Sequence, residues 1–195
     1  LSAPGNTADY DADWSRDGAR IAFIRWANGP DEPYLMVARA DDVSQSPLQL
    51  MSWYPIASPS FSPDGRRIAF ECEGGTEDEP DSRSDICLIN VDGTGFTKMT
   101  RHGSAESEPS WSPDGKLIAF TLTPSNDASY VAVMTPEGTE IRTLQHGSSP
   151  VWIDEHHIGF VGGADSHGLR TMDADGNDVV QITTDRHDER PSWRR

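Results

Sequence analysis

One element recurs along this chain, and it constrains the fold more than any other feature. Three stretches align without gaps: Ala12-Asp-Trp-Ser-Arg-Asp-Gly-Ala-Arg-Ile-Ala-Phe23, Pro59-Ser-Phe-Ser-Pro-Asp-Gly-Arg-Arg-Ile-Ala-Phe70 and Pro109-Ser-Trp-Ser-Pro-Asp-Gly-Lys-Leu-Ile-Ala-Phe120. A fourth copy is worn, Pro150-Val-Trp-Ile-Asp-Glu-His-His-Ile-Gly-Phe160, and a fifth begins as Pro191-Ser-Trp-Arg-Arg195. The aromatic anchors Trp14, Phe61, Trp111, Trp152 and Trp193 lie 47, 50, 41 and 41 residues apart. A second signature follows in two copies, as Asp85-Ile-Cys-Leu-Ile-Asn-Val-Asp-Gly93 and Leu169-Arg-Thr-Met-Asp-Ala-Asp-Gly176. These run on to Met99-Thr100 and Ile182-Thr183.

Ser-Pro-Asp-Gly is turn chemistry: proline presets φ, aspartate bonds its own backbone and glycine tolerates positive φ. It joins a short strand ending at the aromatic to a strand carrying Ile-Ala-Phe, which makes a hairpin. Asp-Gly at 92–93 and 175–176 makes a second hairpin turn. Each repeat therefore reads as four short antiparallel strands, and a period of this length is that of a β-propeller blade. The predicted fold class is all-β, with four full blades and partial blades at both ends. The blades fall at about 9–55, 56–104, 105–146 and 147–187, with a partial one at 188–195. The anchors and the Ile-x-Phe positions belong between blades. A two-sheet sandwich also has many short strands, but it has no reason to repeat one hairpin sequence.

Gly 17 and Pro 14 among 195 residues suit frequent turns. The formal net charge of −16 repels phosphate backbones and anionic membrane surfaces, so nucleic acid is excluded as a partner class. No apolar run is long enough to span a bilayer.

The motifs are similar to the TolB-type, WD40-like propeller repeat, P-x-W-S-P-D-G-x-x-I-A-F followed by M-N-x-D-G and a closing L-T. The resemblance covers essentially the whole chain and departs from the pattern at Asp154-Glu-His-His157 and at Ala40-Asp41-Asp42. It implies an extracytoplasmic bacterial propeller, periplasmic or secreted, that binds another protein and is non-catalytic. Enzymes with such propellers, namely metal-dependent carbohydrate lyases and peptidases, form the alternative. Leu1-Ser2 resembles the tail of a preceding blade, and Pro191-Ser-Trp193 the first strand of a following one. Three arrangements fit: a piece of a larger propeller, a homodimer completing the ring, or a small ring with one strand left over.

Candidate sites follow from the predicted blades. The segments entering the innermost strands carry Asp9 and Asp11, Glu106 and Glu108, and Asp188 and Glu189. At a channel mouth these carboxylates could bind a basic segment of a partner protein or a divalent cation. Asp173, Asp175, Asn177 and Asp178 resemble the start of a Ca²⁺ loop, although the glycine comes too early and a hairpin turn also accounts for them. No other cofactor is expected. The six histidines show no zinc-ligand spacing; His146 and His187 each lie six residues before their anchor. Cys72 and Cys87 fall on neighbouring strands, where they are either a disulfide or two buried thiols. The acidic loop from Glu73 to Asp85 is either a basic-partner contact or an unconstrained connection.

Overall fold

In a computed structural model, the described residues are 7–27, 33–42, 44, 46–52, 56–73, 83–100, 103–124, 128–163 and 167–184. They are strands and turns without a helix. A first four-stranded antiparallel sheet orders β1 (Thr7–Trp14), β2 (Arg20–Ala27), β3 (Tyr34–Arg39) and β4 (Leu48–Ser52). A second orders β5 (Ile56–Phe61), β6 (Arg67–Glu73), β7 (Ser84–Asn90) and β8 (Thr97–Lys98).

The third sheet departs from the expected pattern of separate blades, because it has seven strands. They are β9 (Ala105–Trp111), β10 (Ile118–Thr123), β11 (Tyr130–Met134), β12 (Arg142–Trp152), β13 (His157–Gly162), β14 (Leu169–Asp173) and β15 (Val180–Gln181). The third and fourth repeats share β12, whose first half pairs with β11 and whose second half pairs with β13. The crossing is made at Gly147, where φ is 154° and a Cβ would collide with the Val161 carbonyl. The repeat connection here is short enough for one strand to serve both units. The sheets do not close into a ring among the described residues, and the partial repeat at 188–195 lies outside them.

The turns form as their chemistry dictates. Ser15 Oγ donates to Asp17 at 2.6 Å, Ser62 Oγ to Asp64 at 2.6 Å and Ser112 Oγ to Asp114 at 2.8 Å. Each serine oxygen also accepts from a backbone N–H at or just before the start of the next strand, at 2.9 Å from Arg20, Arg67 and Leu117. Gly18, Gly65 and Gly115 hold φ of 69°, 66° and 74°. Without the glycine, the fourth repeat turns on Asp154, which accepts from the backbone N–H of His156 at 2.7 Å and of His157 at 2.9 Å.

Side chains alternate across each strand, so one repeat presents two different faces. Phe61, Ile68 and Phe70 pack against Ala22, Ile24, Leu35 and Val37 of the first sheet. Trp111, Ile118 and Phe120 pack against Ala69, Ile86 and Leu88. Trp152, Ile158 and Phe160 pack against Ala119, Val131 and Val133. Thus Ile and Phe of each Ile-x-Phe reach back to the preceding unit, while the small residue between them faces forward. Phe61, Trp111 and Trp152 are buried between units, but Trp14 is 52% exposed. The expected burial of every anchor fails at Trp14 because no described unit lies on its side.

Candidate functional site

The innermost strand of every unit carries the same irregularity. Its register shifts between Tyr10 and Asp13, Ala57 and Ser60, Ser107 and Ser110, and Ser148 and Val151. At each shift one non-glycine residue sits in the left-handed region: Asp11 (φ 49°), Ser58 (50°), Glu108 (53°) and Ser149 (53°). All four stand three residues before their anchor. Such a bulge re-aims a side chain out of the ladder, and strain of this kind persists only where surrounding contacts hold it.

The contacts that hold it come from the predicted mouth acids. The Ser58 N–H donates to Asp11 Oδ2 at 3.3 Å. The Ser149 N–H and Oγ each donate to Glu108 at 3.0 Å, and Thr121 Oγ1 donates to the same carboxylate at 3.0 Å. A second level lies just before the anchors. The Phe61 N–H donates to Asp13 at 2.7 Å, and Trp111 and Trp152 N–H groups donate to Ser60 and Ser110 Oγ at 3.4 Å. Each of the first three units thus accepts hydrogen bonds from the backbone of the next.

The other acids at this end are also engaged. Asp9 forms a two-point ion pair with Arg25, at 2.7 and 2.8 Å. Glu106 is fully buried, and Thr100 Oγ1 donates to it at 3.2 Å. Thr100 Oγ1 also lies 3.3 Å from Asp85, and Lys98 Nζ lies 3.5 Å from Asp85. Burial pushes the Asp85 carboxyl up, against the pull of Lys98. Asp188 and Glu189 lie outside the described residues.

One acid of this mouth escaped the sequence reading. Glu71, on β6, has its carboxyl pushed up first by burial and then by the charges of Glu108 and Asp11; a Ser84 hydrogen bond opposes this. In the third unit the acid is at the bulge (Glu108) and a hydroxyl, Thr121, follows the Ile-Ala-Phe phenylalanine. In the second unit the two are exchanged, as Ser58 and Glu71. Glu71 thus feels the charge of one carboxylate from the unit before it and one from the unit after it. The signal was an acid directly after Phe70, visible only once the repeats were compared by position.

The remaining candidates resolve individually. Asp173 accepts from the N–H of Asp175 at 2.9 Å and of Asn177 at 2.7 Å. Asp175 pairs with Arg142 at 2.8 Å, and Asp178 has φ of 52°. These residues build a hairpin turn, with Asp173 Oδ1 accepting from its backbone N–H groups. Among the described residues, no three of His, Cys, Asp or Glu come together as a metal-ligand set. His146 stacks on Tyr130 with ring centroids 4.2 Å apart, and His157 Nδ1 lies 2.9 Å from Asp154. His102, His187 and the acidic loop 74–82 lie outside the described residues. Cys72 and Cys87 form a disulfide linking β6 to β7. No helix among the described residues is long and apolar enough to cross a membrane.

The opposite ends of the inner strands surround a cavity of about 520 Å³. The anchors Phe61, Trp111 and Trp152 line it, with Pro63, Pro113 and Ile153 around them. Arg16 crosses this mouth and donates to the Pro113 carbonyl at 2.9 Å.

Stacked four-stranded units, with cross-linked inner strands and an anchor between neighbours, define a propeller-type repeat. The chain belongs to the TolB beta propeller domain family, which matches residues 10–194. No curated protein sequence matches it significantly. Among solved structures, it is similar to a TolB of Agrobacterium tumefaciens (20% identity, TM-score 0.72, covering 87% of this chain and 63% of that one). It is similar to an oligogalacturonate lyase in complex with manganese (20% identity, TM-score 0.70, 93% and 55%). It also resembles a chain of a nidogen/laminin complex (15% identity, TM-score 0.65, 89% and 65%). At these identities the likeness is one of fold, and the chain spans less than two thirds of each of these structures.

Proposed function

We propose that this chain is an extracytoplasmic, non-catalytic binding scaffold whose acid mouth receives a basic segment of another protein. The observation that carries this reading is the bulge that holds Asp11 and Glu108 at the same position of two inner strands, with the charges of both acting on Glu71. An arriving cationic side chain would relieve the repulsion that Glu71 feels from both. The cross-linked inner strands hold these carboxylates on a rigid frame, so little conformational freedom is lost on binding. The Cys72–Cys87 disulfide supports an oxidising compartment, hence a periplasmic or secreted location. The likeness to a chain of a nidogen/laminin complex supports a protein partner.

The test uses a fluorescent lysine-rich peptide, followed by anisotropy at low and high salt. Binding that weakens with salt, and weakens further in Glu71→Gln, supports the reading. Glu71→Gln removes a charge that burial disfavours, so it should not lower the thermal midpoint. Equal affinity of the two proteins would contradict the proposal. The likeness to the manganese-bound lyase favours a second reading, an enzyme propeller. Cleavage of oligogalacturonate by this chain with Mn²⁺ would replace the scaffold reading.

A further inference from the structure

We propose that the turn-side mouth binds an organic carboxylate carried on an apolar, ring-sized body. This mouth lies at the far ends of the inner strands from the acids, so the proposal is independent of the one above. Two of the repeats depart from Ser-Pro-Asp-Gly, and both departures line the same cavity. The first unit has Arg16 where its neighbours have Pro63 and Pro113. The turn does not require the arginine, since Ser15, Asp17 and Gly18 form the same bonds as in the proline-containing copies. The fourth unit has Asp154-Glu-His-His157 in place of Pro-Asp-Gly and turns on Asp154 alone. Positions where a repeat abandons its own structural chemistry are those expected to serve function.

The donor set points to an anion. Arg16 spends one N–H on the Pro113 carbonyl, which fixes the guanidinium across the mouth. Its planar fork has further donors in the geometry that suits a carboxylate. His156 also lines the cavity, and its ring makes no hydrogen bond among the described residues. Two acids, Asp154 and Glu155, also line the cavity. Asp154 accepts from its own turn and from His157, and Glu155 is exposed to solvent at the rim. Ser62 is committed to Asp64.

The rest of the lining is apolar. Phe61, Trp111, Trp152, Ile153 and the two prolines suit a ring or branched aliphatic body, and about 520 Å³ is within the range of small-molecule sites. Trp111 adds a buried donor: its Nε1–H has no acceptor among the described residues, whereas that of Trp152 reaches the Ser110 carbonyl at 3.1 Å. A buried N–H without an acceptor is costly. Free carboxylic acids and the C-terminus of a peptide share this chemistry.

The test titrates ¹⁵N-labelled protein with N-acetyl-phenylalanine, its amide, and a short peptide ending in phenylalanine. Indole N–H signals are followed. Shifts of the Trp111 and Trp152 signals with the acid, and at least tenfold weaker binding of the amide, are expected. Arg16→Pro restores the sequence of the neighbouring repeats. It should keep the thermal midpoint and lose at least tenfold in affinity. Tighter binding of the peptide than of the free acid assigns a chain terminus; the reverse assigns a small acid. Equal binding of acid and amide, unchanged affinity in Arg16→Pro, or no shift up to about 10 mM ligand overturns the proposal.

Discussion

Glu108 is the sharpest test of how one unit is held to the next. Its carboxylate accepts from Ser149 N–H, Ser149 Oγ and Thr121 Oγ1, each at 3.0 Å. Hydrogen bonds to a charged group contribute about 1.5–3 kcal/mol each, but three on one carboxylate are not additive. The Ser149 N–H also lies 2.9 Å from Thr121 Oγ1, so it keeps an acceptor when the carboxylate is removed. Glu108→Ala should therefore cost about 2–3 kcal/mol, not the sum of three bonds. At 195 residues this lowers the thermal midpoint by about 8 °C. The backbone supplies an internal control. Residue 108 has φ of 53°, which alanine tolerates no better than glutamate. Glycine does tolerate it, so Glu108→Gly should be about 1 kcal/mol more stable than Glu108→Ala. Urea unfolding of the three proteins, with matched m-values, gives the order Glu, Gly, Ala. An alanine variant within about 0.5 kcal/mol of the parent, or a glycine variant below alanine, would refute the reasoning.

Other predictions follow from the same geometry. Replacing Cys72 and Cys87 together by alanine opens a loop whose closure contributes about 3 kcal/mol, so the midpoint should fall by a similar amount in the parent on adding reductant. Phe70→Ala empties a fully buried site between two units and should cost about 3–5 kcal/mol; Trp14→Ala, at an anchor 52% exposed, should cost far less, and chemical denaturation compares them directly. Stability should rise as pH falls from 7 toward the upper carboxylate range, because Glu71 and Asp85 are held above their ordinary values and protonation favours the folded state. Below pH 3.8 it should fall, because hydrogen bonds hold the turn aspartates down, Lys116 and Ser112 bringing Asp114 to about 2, and the folded state loses their contribution as they protonate. Melting curves between pH 3 and 7 test both limbs, and Glu71→Gln should flatten the upper one.

Much of the architecture was legible because the turns are local. Ser15, Ser62 and Ser112 bond aspartates two residues away, so the hairpins are written in short windows of sequence. The inter-unit core was legible from the Ile-Ala-Phe alternation, since a strand's period of two assigns each residue to a face. Cys72 and Cys87 were placed on adjacent strands by the same register, though their bonding was not decided by it. The bulge was not legible. Nothing local marks Asp11, Ser58, Glu108 and Ser149 as left-handed, because their conformation is fixed by the neighbouring unit. For that reason Asp11 and Glu108 read as mouth ligands, when each also accepts from the backbone of the next repeat. Glu106 was read as a mouth residue, yet it is buried beside Asp85 and Thr100. Arg16 drew no notice in the sequence, because its reach to Pro113 spans a gap of 97 positions. The shared β12 was hidden too, since continuity across Gly147 depends on where Val161 lies.

The central claim is that side chains of one inner strand hold the backbone of the next. Amide hydrogen exchange resolved by residue tests it most directly, at the N–H groups of Phe61, Trp111, Trp152 and Ser149. The account predicts protection close to that of Ile68 and Ile118 in the middle strands, and its selective loss at Ser149 in the Glu108→Ala/Thr121→Ala double variant. Exchange of those four amides at the rate of exposed turn residues such as Asp92 would contradict it.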